Sequence, residues 1–299
     1  MSAKREDTYS MKSLRYLIKI VAVTVILTMD SGCAGPSAMQ NNQIQDVFSG
    51  HDRDIATDMT SCRDRLGSMP QDSGTELNAA NIRLLNWNIK KGELANWHRD
   101  IGTLGQGKDL VLIQEAVLTS EFITAIEGLT HWSFSPGYRT SSQLTGVMTL
   151  SRNEPLVQCN LTTQEPWLGT PKATSVTEYG LTGTDKTLVV VNLHGVNFTI
   201  GVAEFQTQID QVRHILSNHK GPVIFSGDFN TWRKRRQTIV NRLAMDLALQ
   251  PLSFEIDHRK KVFGFRLDHS YIRGLSVISS GTRSVQSSDH NPMTAVLAL

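Results

Sequence analysis

From Ile82 onward, apolar residues gather in segments of four to seven, at 83–89, 110–113, 147–150, 187–193, 223–226, 269–272 and 293–299, each closed by a polar or glycine-containing stretch. The runs are continuous rather than alternating, which predicts strands covered on both faces. Between 202 and 219 the spacing changes. Val202, Phe205, Ile209, Val212 and Leu216 recur every three or four residues and predict an amphipathic helix. Shorter patterns of the same kind run over 238–249 and 120–129. Strands and helices interleaved in this way predict one α/β or α+β domain with packed sheets. Upstream, 34–79 is polar and weakly periodic, with Asn41, Asn42, Gln43 and Gln45, and reads as a tether with room for one short helix.

The first 33 residues have a different texture. Lys12 and Arg15 precede an apolar run at 20–29, and Ser31-Gly32-Cys33 follows it, the order of a secretory signal. The run is shorter than the about 20 apolar residues a bilayer core requires, and Lys19 stops it from extending backward; a retained transmembrane anchor is the alternative. Small residues ending in Cys33 resemble a bacterial lipoprotein cleavage site, at which Cys33 would become the acylated first residue. Asp30 stands where that motif usually has Leu, so lipidation and ordinary cleavage both stay open. Met11 is the more natural start of such a leader. The expected location is outside the cytoplasm: periplasmic, lipid-anchored to a bacterial membrane, or secreted.

Composition narrows the class. Of the 299 residues, 39% are hydrophobic and 19% charged, which excludes both a mini-protein and a disordered chain. The net charge is +2, and removing the five basic and three acidic residues of the first 33 leaves a neutral body. Any preference for a polyanion must therefore be local. Cys62 and Cys159 are the remaining cysteines. They are expected to be unpaired, Cys159 buried and Cys62 exposed, against the alternative that they pair in an oxidising compartment. No Cys or His pair has zinc-ligand spacing.

Polar side chains stand at the ends of the predicted strands: Asn88, Glu115, His194 with Asn197, Asp228 with Asn230, Asp268 with His269, and Asp289 with His290. Singly, each has a bland explanation in a turn, a solvated edge or a structural histidine. Together they are the residue types that bind a hard divalent cation and move protons.

Their order carries a resemblance. Trp87-Asn88-Ile89, Gln114-Glu115, Asn192-Leu193-His194, Gly227-Asp228-Phe229-Asn230, Leu267-Asp268-His269 and Ser288-Asp289-His290-Asn291-Pro292 resemble the ordered motifs of the endonuclease/exonuclease/phosphatase superfamily, the DNase I-like fold. Segments 146–151, 191–198 and 263–268 are most similar to the bacterial YafD group. The resemblance covers about residues 80–299, leaving 1–33 as leader and 34–79 as tether. It implies a two-sheet β-sandwich flanked by helices in four layers, with the site where strand-end loops converge.

The resemblance also implies roles. Asn88, Glu115 and Asp289 would hold Mg²⁺ or Mn²⁺. His290, oriented by Asp268, would be general base or phosphate contact. Asp228 and Asn230 would position the nucleophilic water, and His194 would face the leaving oxygen as general acid. Abasic-site enzymes of the superfamily carry a carboxylate two residues after the first Asn; here that place is Lys90, which together with His194 puts the chain nearer the DNase I type. Lys90, Asn197, Arg233, Arg235 and Arg266 are the expected substrate contacts.

Two basic runs, Arg233-Lys234-Arg235-Arg236 and His258-Arg259-Lys260-Lys261, flank these motifs and suit a phosphate backbone. Trp167, Trp232 and Tyr138 either stack on bases or fill core. The expected activity is divalent-metal-dependent phosphodiester hydrolysis, as a monomeric nuclease on DNA or RNA. The alternatives are a phosphatase or phosphodiesterase on phosphoinositide or sphingomyelin head groups, and a catalytically silent nucleic-acid-binding module.

Overall fold

The computed structural model describes residues 55–68, 76–166 and 169–299. The predicted leader, Cys33, the first part of the polar stretch and Trp167 lie outside the described residues.

Two six-stranded sheets pack face to face. The first contains β1 (Ile82–Asn88), β2 (Leu110–Val117), β3 (His131–Arg139), β4 (Leu144–Ser151), β13 (Ser276–Thr282) and β14 (Met293–Ala298), in the order β13-β14-β1-β2-β4-β3. The second contains β5 (Val157–Gln164), β6 (Pro171–Gly180), β7 (Thr187–His194), β8 (Val223–Asp228), β9 (Gln250–Pro251) and β12 (Asp268–Arg273), in the order β5-β6-β7-β8-β12-β9. A short ribbon, β10 (Lys261–Val262) with β11 (Phe265–Arg266), stands apart from both.

Helices cover the outer faces. α2 (Trp97–Gly105) and α3 (Ser120–Ile123) lie on the first sheet, where Ile101 and Phe122 join Leu85, Trp87, Val111 and Ile113 in one core. α4 (Ala203–Leu216) and α5 (Lys234–Asp246) lie on the second, where Phe205, Ile209, Val212 and Leu243 meet Val189, Val191, Leu193 and Phe225. Between the sheets a third core joins Ile82, Leu84, Leu110 and Leu112 to Leu188, Val190, Ile224 and Ile272. Both faces of the central strands are therefore buried, which is why their sequences read as unbroken apolar runs. The architecture is the four-layer sandwich that the resemblance implies.

All seven strands expected from the apolar runs are present, as is the helix over 202–219. The runs miss β3, β5, β6 and β13, which are rich in Ser and Thr; β13 lies at a sheet edge, where burial asks little of its sequence. The pattern over 120–129 yields only one turn of helix.

Two findings change the picture upstream of the domain. α1 (Met59–Arg65), capped by the Asp58 carboxylate accepting from the Thr60 and Ser61 amides, is docked on the second sheet, and Ala56 bridges to Cys159 within β5. Cys62 and Cys159 form a disulfide with a Cα separation of 5.7 Å, and both are fully buried. The expectation of two free thiols is thereby corrected: spacing along the chain carries no information about distance in space, and a 97-residue separation closes to bonding range.

Candidate active site

Side chains on a strand alternate between faces, so one face of each central strand can be followed along its length. Facing the other sheet are Ile82, Leu84, Asn86 and Asn88 on β1, Leu110, Leu112 and Gln114 on β2, Leu188, Val190, Asn192 and His194 on β7, and Ile224, Ser226 and Asp228 on β8. The layer between the sheets thus begins as hydrocarbon, passes through a band of amides and ends in ionisable groups. In the band, Gln114 Nε2 donates to Asn86 Oδ1 at 3.0 Å and to Asn192 Oδ1 at 2.7 Å, while Asn192 Nδ2 donates to the Met148 carbonyl at 3.0 Å. The amides join the sheets where apolar packing gives way to the site.

The register aligns the ends of the second sheet's strands. His194 pairs with Asp228 across β7 and β8, and Asp228 with Asp268 across β8 and β12. Gly227 permits the close strand approach here: its φ of 152° excludes other residues, and a Cβ would collide with the Leu193 carbonyl.

Glu115 reaches the site by a different device. Strict alternation would send it to the helix side with Ile113. Instead the ladder between β2 and β4 shifts register between Gln114 and Ala116, and Glu115 adopts φ +52°, outside the strand region. The bulge turns its carboxylate toward the second sheet, with Oε1 3.8 Å from His194 Nε2. Among the described residues that carboxylate accepts no hydrogen bond.

The remaining groups form one cluster. Asn88 Nδ2 donates to Asp228 Oδ2 at 3.0 Å, and the Asn230 amide donates to Asp228 Oδ1 at 2.9 Å. Asp228 Oδ2 lies 3.8 Å from both His194 Nε2 and His290 Nε2. On its other side, His290 Nδ1 is 2.9 Å from each oxygen of Asp268.

Burial and charge set the protonation of this cluster. Burial alone would push His290 down, but the carboxylates of Asp268, Asp228 and Asp289 and the hydrogen bond to Asp268 outweigh it and raise the imidazole to about 10. It is an imidazolium at neutral pH. Burial, assisted by Asp268, lifts Asp228 above the usual carboxylate range against the opposing pull of His290 and its hydrogen-bond donors. His194 is driven well below the ordinary histidine value, by burial first and then by Lys172, His290 and Lys91, and is neutral.

A frame of buried polar residues holds the loops. Gln208 on α4 donates to the His194 carbonyl and accepts from the Val196 amide, both at 2.9 Å. Arg236, fully buried at the start of α5, donates to the carbonyls of Val196, Asn230 and Asn197 and to the Thr199 hydroxyl. The 287–290 loop is fastened by Ser288 Oγ donating to the Asn88 carbonyl at 2.7 Å and Trp87 Nε1 donating to the His290 carbonyl at 2.9 Å.

Of the expected site residues, Asn88, Glu115, His194, Asp228, Asp268 and His290 converge, while Asn230 meets Asp228 through its backbone amide and its Nδ2 donates to the Gly195 carbonyl at 2.9 Å. Asp289 follows in the same loop but turns outward to Lys260, 3.3 Å away. Several expected substrate contacts have protein partners instead. Asn197 accepts from Trp232 Nε1, Arg233 donates to the Ile200 and Gly201 carbonyls, and Arg266 is paired with Asp257 together with Arg259. Arg236, read as part of a phosphate-binding run, is interior, because its guanidinium is the device that gathers loop carbonyls. Arg235 is exposed, and Lys90, at φ +50°, donates its amide to Asn88 Oδ1. Lys172 was not expected: it lies on β6, whose mixed polar sequence gives no strand signal, and its Nζ is 3.3 Å from His194 Nε2.

The donor set suits a hard cation. Glu115 offers a carboxylate without a hydrogen-bond donor, and Asp228 Oδ2 lies equally close to the same imidazole nitrogen. Asp228, Asp268 and His290 also bring one ligand atom each within 4.8 Å of one another. Both Asp268 oxygens, however, face the proton on His290, and an imidazolium has no lone pair to give. Glu115 is therefore the carboxylate left free for a hard divalent cation, with Asn88 alongside.

The sequence profile of the Endonuclease/Exonuclease/phosphatase family matches residues 78–290. A UPF0294 protein of Vibrio campbellii is 35% identical over 222 residues, which cover 73% of this chain and 78% of the relative. Among solved structures, the catalytic domain of human Nocturnin with a bound sulfate superposes with a TM-score of 0.55 at 15% identity, over 75% of this chain and 95% of that one. A mannosyl-6-phosphatase of Bacteroides thetaiotaomicron superposes with a TM-score of 0.54 at 15% identity, over 73% of this chain and all of its own.

Proposed function

The chain belongs to the endonuclease/exonuclease/phosphatase family, whose members are hydrolases of phosphoester bonds, nucleases and phosphatases among them, and from that premise we propose that it is a divalent-metal-dependent phosphodiesterase acting as a nuclease on DNA or RNA. The observation that carries this reading is the position of Asp228, a desolvated carboxylate 3.8 Å from two imidazoles, one cationic and one neutral.

Each residue has a chemical part. Asp228, its proton affinity raised by burial, takes the proton of the attacking water. Asn230 and Asn88 hold that carboxylate in place from opposite sides. The His290 imidazolium donates from Nε2 to a phosphoryl oxygen, while Asp268 fixes the ring and keeps it charged. A cation held by Glu115, with Asn88 alongside, would neutralise charge on the phosphoryl group.

The test is hydrolysis of plasmid DNA, RNA and bis-p-nitrophenyl phosphate by the full chain, with Mg²⁺ and with EDTA, beside His290→Ala. Turnover in Mg²⁺ that EDTA and the substitution both abolish is the expected result. Turnover that persists in EDTA overturns the metal role, and nucleic-acid binding without hydrolysis of any ester leaves a silent module.

A lipid phosphodiester is the second reading. It is favoured by Phe198, Ile200 and Phe263, which are 56%, 72% and 82% exposed beside Asn197 and Trp232. Sphingomyelin and phosphoinositide vesicles belong in the same assay. Export is supported by the Cys62–Cys159 disulfide, which persists in oxidising compartments. Attachment through an acylated Cys33 is tested by mass spectrometry of the N-terminus from fractionated cells.

A further inference from the structure

Lys172 is the second residue of β6, and the strand order β6-β7-β8-β12 puts it at one end of a row that continues through His194, Asp228 and Asp268. Its ammonium lies 3.3 Å from His194 Nε2 and is partly buried. Several other cations around the site are paired with carboxylates: Lys91 with Glu93, Lys260 with Asp289, and Arg259 and Arg266 with the shared Asp257. Among the described residues Lys172 has no carboxylate within ion-pair distance. A cation held without a counter-ion at the edge of an oxyanion-binding site is built to receive negative charge.

The contact with His194 also settles which atom donates. An ammonium has protons and no lone pair, so Nε2 must accept, and the proton of the neutral ring sits on Nδ1. In this arrangement His194 presents no proton at Nε2. It holds Lys172 in place, and is itself fixed through its backbone by Gln208.

We propose that Lys172 is a catalytic residue that meets the leaving oxygen and supplies its proton, with His194 as its positioning residue. This rests on the phosphoester-hydrolase reading above. The water oxygen forms its bond to phosphorus as the bond to the leaving oxygen breaks. The water proton passes to Asp228, and the departing oxygen, keeping the bonding electron pair, takes a proton from Lys172 Nζ. Exchange with solvent returns a proton to the amine and removes one from the carboxyl group. Acceptor and donor stand apart along the row, so the attacking and leaving oxygens each meet a group of their own.

The experiment compares the full chain with Lys172→Met and Lys172→Arg, in Mg²⁺, on phosphodiesters that differ in leaving group: bis-p-nitrophenyl phosphate, whose p-nitrophenolate departs without a proton, and a dinucleotide, whose alkoxide does not. Lys172→Met is expected to lower kcat on the dinucleotide by about 100-fold and to lower it far less on the nitrophenyl ester. KM and the melting temperature stay near wild type, and Lys172→Arg, whose guanidinium keeps its proton, does not recover the loss; recovery by Arg would assign the position to charge stabilisation and overturn the proton transfer. Equal losses on both esters, or no loss on the dinucleotide, overturn the assignment. A wild-type chain that hydrolyses neither ester overturns the hydrolase reading itself and Lys172 with it, an outcome distinct from either result on an active chain.

Discussion

His290 Nδ1 stands 2.9 Å from both carboxylate oxygens of Asp268, a symmetric grip on a ring buried between the sheets. The pairing is what keeps the imidazole charged, and it joins two motifs that lie 22 residues apart. The grip is itself supported from outside, because Arg259 donates to the Asp268 carbonyl at 3.1 Å.

Asp268→Asn removes the charge that holds His290 up at about 10. A histidine whose folded pKa is raised stabilises the fold fully below its unfolded value of about 6.5 and loses that contribution as pH rises toward the folded value. Wild type is therefore expected to exceed Asp268→Asn in urea midpoint most clearly near pH 6, with the gap narrowing toward pH 10. An NMR titration should show the His290 ring protons of the variant moving at much lower pH. Its kcat should fall by about 100-fold or more.

Glu115→Gly separates strain from chemistry. Glu115 holds φ +52°, which costs a residue with a Cβ about 1 kcal/mol and costs glycine nothing. Because glycine's greater freedom in the unfolded chain offsets the relieved strain, the variant is expected to melt within about 3 °C of wild type while losing hydrolysis and any thermal shift that Mg²⁺ confers on wild type. A Mg²⁺-dependent shift that survives the substitution would place the ion elsewhere.

Glu178, buried on β6, accepts from Thr187 Oγ1 at 2.5 Å and from the Gly67 amide at 3.0 Å, and burial raises its pKa despite both donors. A raised folded pKa means that protonation favours the fold, so the cost of this residue is removed as pH falls. Wild type is expected to gain stability relative to Glu178→Gln between pH 7 and the acid limb of its unfolding curve. Chemical denaturation across that range measures it, and a constant difference would contradict it.

Reduction of Cys62–Cys159, or the Cys62→Ser/Cys159→Ser pair, opens a 97-residue loop. The expected loss is about 2–5 kcal/mol in denaturant unfolding. The site shares no residue with the bridge, so kcat below the melting range should be unaltered.

Arg236→Ala removes a donor set that serves three loop carbonyls, of which only that of Asn197 keeps a second donor, the Thr199 amide. Destabilisation of about 3 kcal/mol is expected, together with a drop in kcat because the loop after His194 is no longer held. Arg236→Lys should rescue little, since a single ammonium cannot span the carbonyls that a planar guanidinium reaches.

The strands that carry Asn88, His194, Asp228 and Asp268 were legible because burial on both faces writes unbroken apolar runs, and their strand-end polar residues interrupt those runs where the site lies. Glu115 was legible as a residue but not as a direction: alternation predicts the wrong face, and only the bulge turns it around. Lys172 was not legible at all. It sits in Pro-Lys-Ala-Thr-Ser-Val-Thr, a stretch whose strand character comes from tertiary pairing with β5 and β7 rather than from its own composition. The basic run at 233–236 was legible as charge, yet Arg236 is spent on backbone carbonyls, a use that charge patterning cannot tell from solvation. The disulfide depends on a long-range approach that linear spacing does not encode.

The path of the chain through the sandwich has a consequence for when the molecule can act. β1 and β2 supply Asn88 and Glu115 early, the second sheet supplies its row later, and His290 arrives only with the loop before β14, which then inserts between β13 and β1 inside the first sheet. A growing polypeptide that has made every other motif still lacks both its imidazolium and the strand that seats it. A chain that stops short of this loop and strand is expected to be inert, whatever else of it has folded.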